Sequence, residues 1–112
     1  MKRGEIWTAS GGPDYAGKPR PVLILQDDAF EDTASVTICL LTTREVAAPL
    51  LRIGITPNEG NGLREPSWIM ADKISTVSRA RLGERIGALS GAEMAQVSRA
   101  VSVFLGLAGT AA

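Results

Sequence analysis

The chain contains no histidine and only one cysteine among its 112 residues. Zinc sites built from histidine and cysteine are therefore excluded within a single chain, and any acid–base chemistry must come from other side chains. Cys39 has no second thiol with which to form an intrachain disulfide. It lies in the apolar run 36–41, where we expect a buried structural thiol. The cytoplasm follows as the default compartment.

The chain also lacks an excess of charge of either sign, since it has twelve acidic and twelve basic residues. The strongly basic balance that is typical of nucleic-acid-binding proteins is absent. A neutral chain can still carry a positive face if its fold gathers the basic residues. The candidates for such a face are Lys18, Arg20, Arg44, Arg52, Lys73, Arg79, Arg81 and Arg85.

Long hydrophobic runs are missing as well. No apolar stretch approaches the roughly 20 residues that a membrane helix needs, and the basic start of the chain is not followed by the apolar region of a signal peptide. We therefore expect no membrane partner. The apolar fraction of 45% suits a compact fold, and we expect residues 1–112 to form a single domain.

Short apolar segments separated by turn residues predict a mainly β fold. The predicted strands are residues 4–8, 21–26, 35–41, 49–55, 67–77 and 85–89. The second is a continuous apolar run, as expected for a strand that is covered on both faces. The fifth we expect to bend near Asp72. Such strands followed by one helix predict a small β-barrel that the helix caps.

A capping box predicts the start of the C-terminal helix, with Ser90 as the N-cap and Glu93 three residues later. Gly106 is a plausible stop. Apolar residues at helical spacing form one stripe, which we expect to pack entirely into the core. The stripe consists of Met94, Val97, Val101, Phe104 and Leu105.

Arg20 is the most informative residue, because it lies where the loop of residues 9–19 turns into the apolar second strand. Pro19 and Pro21 fix their own φ and bias the residue before each of them toward extended backbone. The planar, permanently charged guanidinium suits a phosphate better than an ammonium does. Most lone loop arginines are nevertheless solvated or structural, so Arg20 by itself does not identify a site.

The run KPRPVLILQ at residues 18–26 resembles the MazF/PemK (Kid) family of bacterial toxin endoribonucleases. The same order of landmarks continues at residues 2–7, 39–43, 49–53, 70–77 and 82–87. The resemblance implies an SH3-like, MazF/CcdB-like barrel with a C-terminal helix. It also implies a homodimer that is neutralised by an antitoxin protein and that cuts single-stranded RNA with neither metal nor cofactor.

Residue by residue, the resemblance implies catalytic roles for Arg20, Thr42 and Asp14. Around them we expect RNA contacts from Lys18, Thr43, Arg44, Trp68, Lys73, Arg79 and Arg81. The chain departs from the family pattern in having Leu40 and Leu41 before the threonine, and Trp68 where a basic residue is common. At this position a tryptophan would offer RNA a base-stacking surface in place of the phosphate contact that a basic residue makes. The alternative is that Trp68 belongs to the core.

RNA supplies its own nucleophile in the 2′-OH, and attack by that oxygen leaves a 2′,3′-cyclic phosphate and a free 5′-OH. Arg20 suits neutralisation of the crowded phosphorane, and the Thr42 hydroxyl can hold the phosphate in line. Asp14 is the preferred proton acceptor, and Glu45 is the other carboxylate near these segments. Asp14 could instead form an Asx turn, and Thr42 could simply close a strand.

Two other kinds of function stay open from the sequence alone. One is a CcdB-like gyrase-inhibiting toxin, a protein-binding inhibitor that shares the barrel. The other is an inactive SH3-like interaction module. Separately, Arg79, Arg81 and Arg85 could be only solvated surface residues beside Glu84. CcdB-type chains depend on a tryptophan near the C-terminus, whereas this chain ends without one. The missing C-terminal tryptophan and the presence of Arg20 and Thr42 both favour the nuclease over the gyrase inhibitor.

Overall fold

The computed structural model describes residues 1–11, 18–48 and 50–108. Six strands and one helix form the fold, which confirms a mainly β chain with a C-terminal helix. They are β1 (Glu5–Ala9), β2 (Arg20–Ile24), β3 (Ser35–Thr42), β4 (Arg52–Ile55), β5 (Ser67–Ser78), β6 (Leu82–Ala88) and α1 (Gly91–Phe104). Short 3-10 turns span Asp28–Phe30 and Arg79–Arg81. No helix in these ranges has both the length and the apolar character needed to cross a membrane.

The strands form one antiparallel sheet in the order β4-β5-β3-β2-β1-β6. Both faces of its centre are buried, because Val22 and Ile24 belong to one hydrophobic cluster and Leu23 to another, which includes Val97 of the helix. The expectation that β2 is covered on both faces is confirmed. Cys39 is buried beside Leu23, and burial raises the pKa of its thiol to about 12.

The sheet does not close into the predicted barrel by strand pairing, since the end strands β4 and β6 are not paired among the described residues. A turn after β4 bridges the gap, and the N–H of Ala88 on β6 donates to the carbonyl of Gly60 at 2.9 Å. The buried Asn61 side chain holds this turn by accepting from Leu63 N–H at 3.0 Å. Gly62 has a φ of +69°, and a Cβ there would overlap the backbone carbonyl of Ile86.

Helix α1 begins as predicted, with Glu93 N–H donating to the Ser90 hydroxyl and Ser90 N–H donating to the Glu93 carboxylate. Its stop at Gly106, where φ is +73°, also follows the prediction. The core assignment of Phe104 and Leu105 is wrong, since they are 45% and 51% exposed. Helical periodicity identifies the apolar face of α1, but it does not show how far along the helix the sheet covers that face. Leu105 lies past this limit and lines an open cavity.

Candidate functional site

One row of residues crosses the sheet where β2 begins and β3 ends. Ala9 pairs with Arg20, and Thr42 pairs with Trp68. The β2–β3 register pairs Val22 with Leu40, and continuing it by two residues places Arg20 opposite Thr42. Side chains directly opposite each other on neighbouring strands lie on the same face of the sheet. The register therefore brings Arg20 and Thr42 together although 22 positions separate them in the chain.

These two residues line a common cavity of about 290 Å³. Arg20 is exposed and Thr42 is half-buried. The full lining consists of Arg20, Pro21, Leu40, Leu41, Thr42, Thr43, Ser67 and Met70. Strands β2, β3 and β5 all contribute, so the cavity is built on the rigid centre of the sheet.

The hydrogen bonds around Thr42 leave its hydroxyl able to donate. The backbone N–H of Arg44 donates to the Thr42 Oγ1 at 3.1 Å, which occupies one lone pair. In the part of the chain that the structure describes, the hydroxyl hydrogen itself meets no acceptor. A hydroxyl arranged in this way can donate to an anionic oxygen placed in the cavity.

The charge of Arg20 is not neutralised by any described carboxylate, since none pairs with its guanidinium. Arg52 is the contrast, because its Nε and Nη2 donate to the two oxygens of Asp72 at 3.0 and 3.1 Å. This bidentate hydrogen bond lowers the pKa of Asp72. Of the two arginines, Arg20 is the one whose fork is open to an anionic ligand.

A second cavity of about 390 Å³ adjoins the first and shares Leu40 and Met70 with it. Its other lining residues are Lys73, Ile74 and Ser75. Together the two cavities form a groove along β3 and β5, hereafter the groove, with Arg20 at one end and Lys73 at the other. A positive group at each end and apolar walls between them suit a chain that carries phosphates and flat bases.

A known protein family matches nearly the whole chain. Residues 2–105 match the family model described as "PemK-like, MazF-like toxin of type II toxin-antitoxin system". The chain belongs to the PemK/MazF toxin family. The resemblance inferred from the motifs is thereby confirmed.

Individual relatives of the toxin span nearly its whole length. The probable endoribonuclease MazF of Mycolicibacterium smegmatis is 51% identical over 109 residues, which are 97% of this chain and 100% of the relative. A solved endoribonuclease in complex with its cognate antitoxin, from a mycobacterial species, is 27% identical with a TM-score of 0.80 and 96% coverage of both chains. A MazE–MazF structure from Deinococcus radiodurans, 20% identical, shares the fold with a TM-score of 0.79 over 96% of this chain and 97% of that chain.

The other residues predicted to contact RNA lie at different distances from the cavity. Lys18 and Arg44 are exposed, and each lies two positions from a cavity residue, Arg20 and Thr42 respectively. Trp68 is half-buried and belongs to neither hydrophobic cluster. Its indole Nε1 lies 3.4 Å from the place where a Cβ of Gly54 would stand, so the ring covers β4 and does not line the cavity.

The structure does not bring Arg79 or Arg81 into the groove. Arg79 donates to the carbonyls of Thr33 and Glu31. It follows the end of β5 that pairs with Ser35, and Ser35 lies roughly 23 Å along β3 from Thr42. Arg81 donates to the carbonyls of Ser10, at 2.7 Å, and Gly11. Both arginines hold connecting segments, and an RNA contact by either stays a prediction.

Asp14, the preferred proton acceptor, lies outside the described residues. Glu45 is exposed and does not line the cavity. No group of three or more potential metal-ligating side chains is found among the described residues.

Five of the eight lining residues were not predicted as site residues, namely Pro21, Leu40, Leu41, Ser67 and Met70. For Met70, alternation along β5 was the available signal, because it places Trp68 and Met70 on one face and buries Ile69 on the other. That pattern alone does not reveal that Met70 lines the same cavity as Thr42.

Proposed function

We propose that this toxin is a metal-independent, sequence-preferring endoribonuclease that cuts single-stranded RNA by attack of the 2′-OH on the adjacent phosphate. One observation carries the proposal, which is the shared row and shared cavity of Arg20 and Thr42. Relatives named endoribonuclease MazF support the reaction class. The match to a MazF-like toxin model over residues 2–105 favours it over a gyrase inhibitor or an inactive module.

In this reaction a bond forms between the 2′ oxygen and phosphorus while the bond to the 5′ oxygen breaks. The open fork of Arg20 meets two phosphate oxygens and stabilises the charge that accumulates on the phosphorane. Thr42 donates its free hydroxyl hydrogen to the same phosphate and holds it in line for attack. A carboxylate takes the proton from the 2′-OH, for which Asp14 is the first candidate and Glu45 the second. The departing 5′ oxygen takes a proton from water and leaves as the 5′-OH.

End analysis of the products tests the reaction. We expect a defined long RNA, incubated with the purified toxin and excess chelator, to be cut at preferred sequences. The fragments should carry a 2′,3′-cyclic phosphate and a 5′-OH. A Thr42→Val variant purified in the same way controls for contaminating ribonuclease. Fragments with 5′-phosphates, or loss of cutting on chelation, would contradict the mechanism.

The proposal extends to the partners of the toxin and to its compartment. The mycobacterial relative of known structure is bound to its cognate antitoxin, and for this chain we propose an antitoxin that competes with RNA for the groove. We further propose a homodimer, since a two-fold axis would double the positive surface available to a strand. We propose the cytoplasm as its compartment, because the proposed substrate is cellular RNA.

A further inference from the structure

The end of the groove that contains Lys73 has a chemistry different from the end that contains Arg20. Its cavity of about 390 Å³ lies within the range of roughly 300–1,000 Å³ that holds small organic ligands. Leu40 stands two positions before Thr42 on β3, so this cavity begins about 7 Å from the threonine along the strand. A base attached next to a phosphate at Thr42 can therefore reach it.

The walls of this cavity suit a flat ring. Leu40 and Met70 are both half-buried and line both cavities. The Met70 thioether is flexible and polarisable, and such groups make favourable contacts with aromatic rings. Neither side chain can form a strong hydrogen bond, so these walls hold a base without distinguishing one base from another.

Lys73 is the charged side chain of this cavity. It is exposed, and no carboxylate in the described ranges forms an ion pair with its ammonium group. The adjacent Asp72 is bound through both of its oxygens to Arg52. The ammonium group is therefore available to a ligand in the cavity.

An ammonium group has three donors and no acceptor, so it selects a base edge that presents acceptors. On the same edge guanine presents two adjacent acceptors, O6 and N7, whereas uracil presents the single acceptor O4. Adenine presents N7 beside an amino donor, and cytosine presents an amino donor. We propose that the Lys73 cavity is a base-binding subsite that selects guanine at a position flanking the scissile phosphate. This inference rests on the proposed ribonuclease function and gives Lys73 the role of a specificity residue.

Cleavage of an RNA pool that is randomised around the cut, followed by sequencing of the fragment ends, tests the subsite. We expect the parent toxin to prefer guanine over adenine by about tenfold at one flanking position, the size that one specific base contact supports. Lys73→Gln should remove that preference and raise the share of adenine, because glutamine can both donate to N7 and accept from N6. Lys2→Gln is the matched control, since it removes the same charge from an exposed lysine that pairs with Glu31 at 2.6 Å.

The outcomes separate this inference from the proposed function. A toxin that cuts the pool with no guanine preference at any flanking position overturns the subsite and leaves the nuclease standing. A guanine preference that survives Lys73→Gln unchanged also overturns it. Failure of the parent toxin to cut any RNA contradicts the proposed function itself.

Discussion

Arg20 owes its place to its neighbours in the chain and to the strands beside it. Pro19 and Pro21 restrict the backbone on either side of it, and pairing with Ala9 fixes it at the start of β2. Its guanidinium then faces the cavity with no described carboxylate to neutralise it. The fork of donors, and not the charge alone, is what a crowded phosphorane requires.

Substitution of Arg20 by lysine separates these two properties. Arg20→Lys keeps the positive charge and loses the planar fork, so we expect kcat/KM for RNA cleavage to fall at least about tenfold, or about 1.4 kcal/mol of transition-state stabilisation. Thr42→Val keeps the branched shape and removes the hydroxyl, and it should also impair cutting.

The matched control is Arg64→Lys, which makes the same change at an exposed arginine that does not line the groove. It should cut at the parental rate. All three variants should melt like the parent toxin. If Arg20→Lys and Thr42→Val also cut at the parental rate, the site has been placed wrongly.

At the scale of elements, Glu5 connects the first strand to the last. Its carboxylate accepts from Lys2 N–H at 2.8 Å, from the Trp7 indole at 3.0 Å and from Arg85 Nε at 2.8 Å. Burial raises the pKa of this carboxyl, but the three hydrogen bonds and the Arg85 charge outweigh burial and lower the pKa to about 2. The ionised form of Glu5 therefore stabilises the folded state.

The acid dependence of stability follows from this shift. The ordinary pKa of Glu5 is 4.5, so its contribution is fully present above that pH and is lost progressively as the pH falls toward 2. We expect Glu5→Gln to lower the free energy of unfolding by about 1–3 kcal/mol at pH 7. The difference between variant and parent should shrink in denaturant titrations at lower pH. A difference that stays constant down to pH 2 would contradict this role.

Features that depend on nearby residues were predictable from the sequence. The capping box of Ser90 and Glu93 and the two-sided burial of β2 were both expected and found. A bend of β5 near Asp72 was expected, and the pairing of β5 with β3 shifts register between Ile69 and Ile74. Strand ends were less accurate, since β6 begins at Leu82 and not at Arg85. Strand limits depend on partners elsewhere in the chain, which local propensity does not report.

Features that depend on distant residues were not predictable in this way. The sheet edges are bridged by the contact of Gly60 with Ala88, a long-range hydrogen bond with no local signature. The opposition of Arg20 and Thr42 likewise depends on strand register, and a slip of one residue would move either side chain to the other face. The sequence motifs indicated both residues, but only the pairing of strands shows that they share a cavity.

At the scale of the whole molecule, the zero net charge conceals an uneven distribution. Three described ion pairs join basic side chains to carboxylates, and none of them includes Arg20 or Lys73. They are Lys2–Glu31, Arg52–Asp72 and Arg85–Glu5. These three carboxylates neutralise structural bases, while Arg20 and Lys73 at the ends of the groove keep their charge. A neutral protein can in this way present a positive surface to RNA.

Assembly is a prediction at the same scale. We expect light scattering at micromolar concentration to give twice the mass of the chain, and a monomer mass would count against the dimer. RNA and antitoxin should exclude each other, because both are proposed to occupy the groove. A stable ternary complex with uninhibited cutting would overturn the competition model.

The central claim is that the RNA provides the nucleophile while Arg20 and Thr42 hold its phosphate. The most direct measurement uses a chimeric oligonucleotide with the mapped cleavage sequence and a single deoxyribose at the nucleotide whose 2′-OH would attack. We predict that the toxin leaves this substrate intact at that position while it cuts the all-ribose control. Cleavage of the chimeric substrate at the rate of the control would contradict the account.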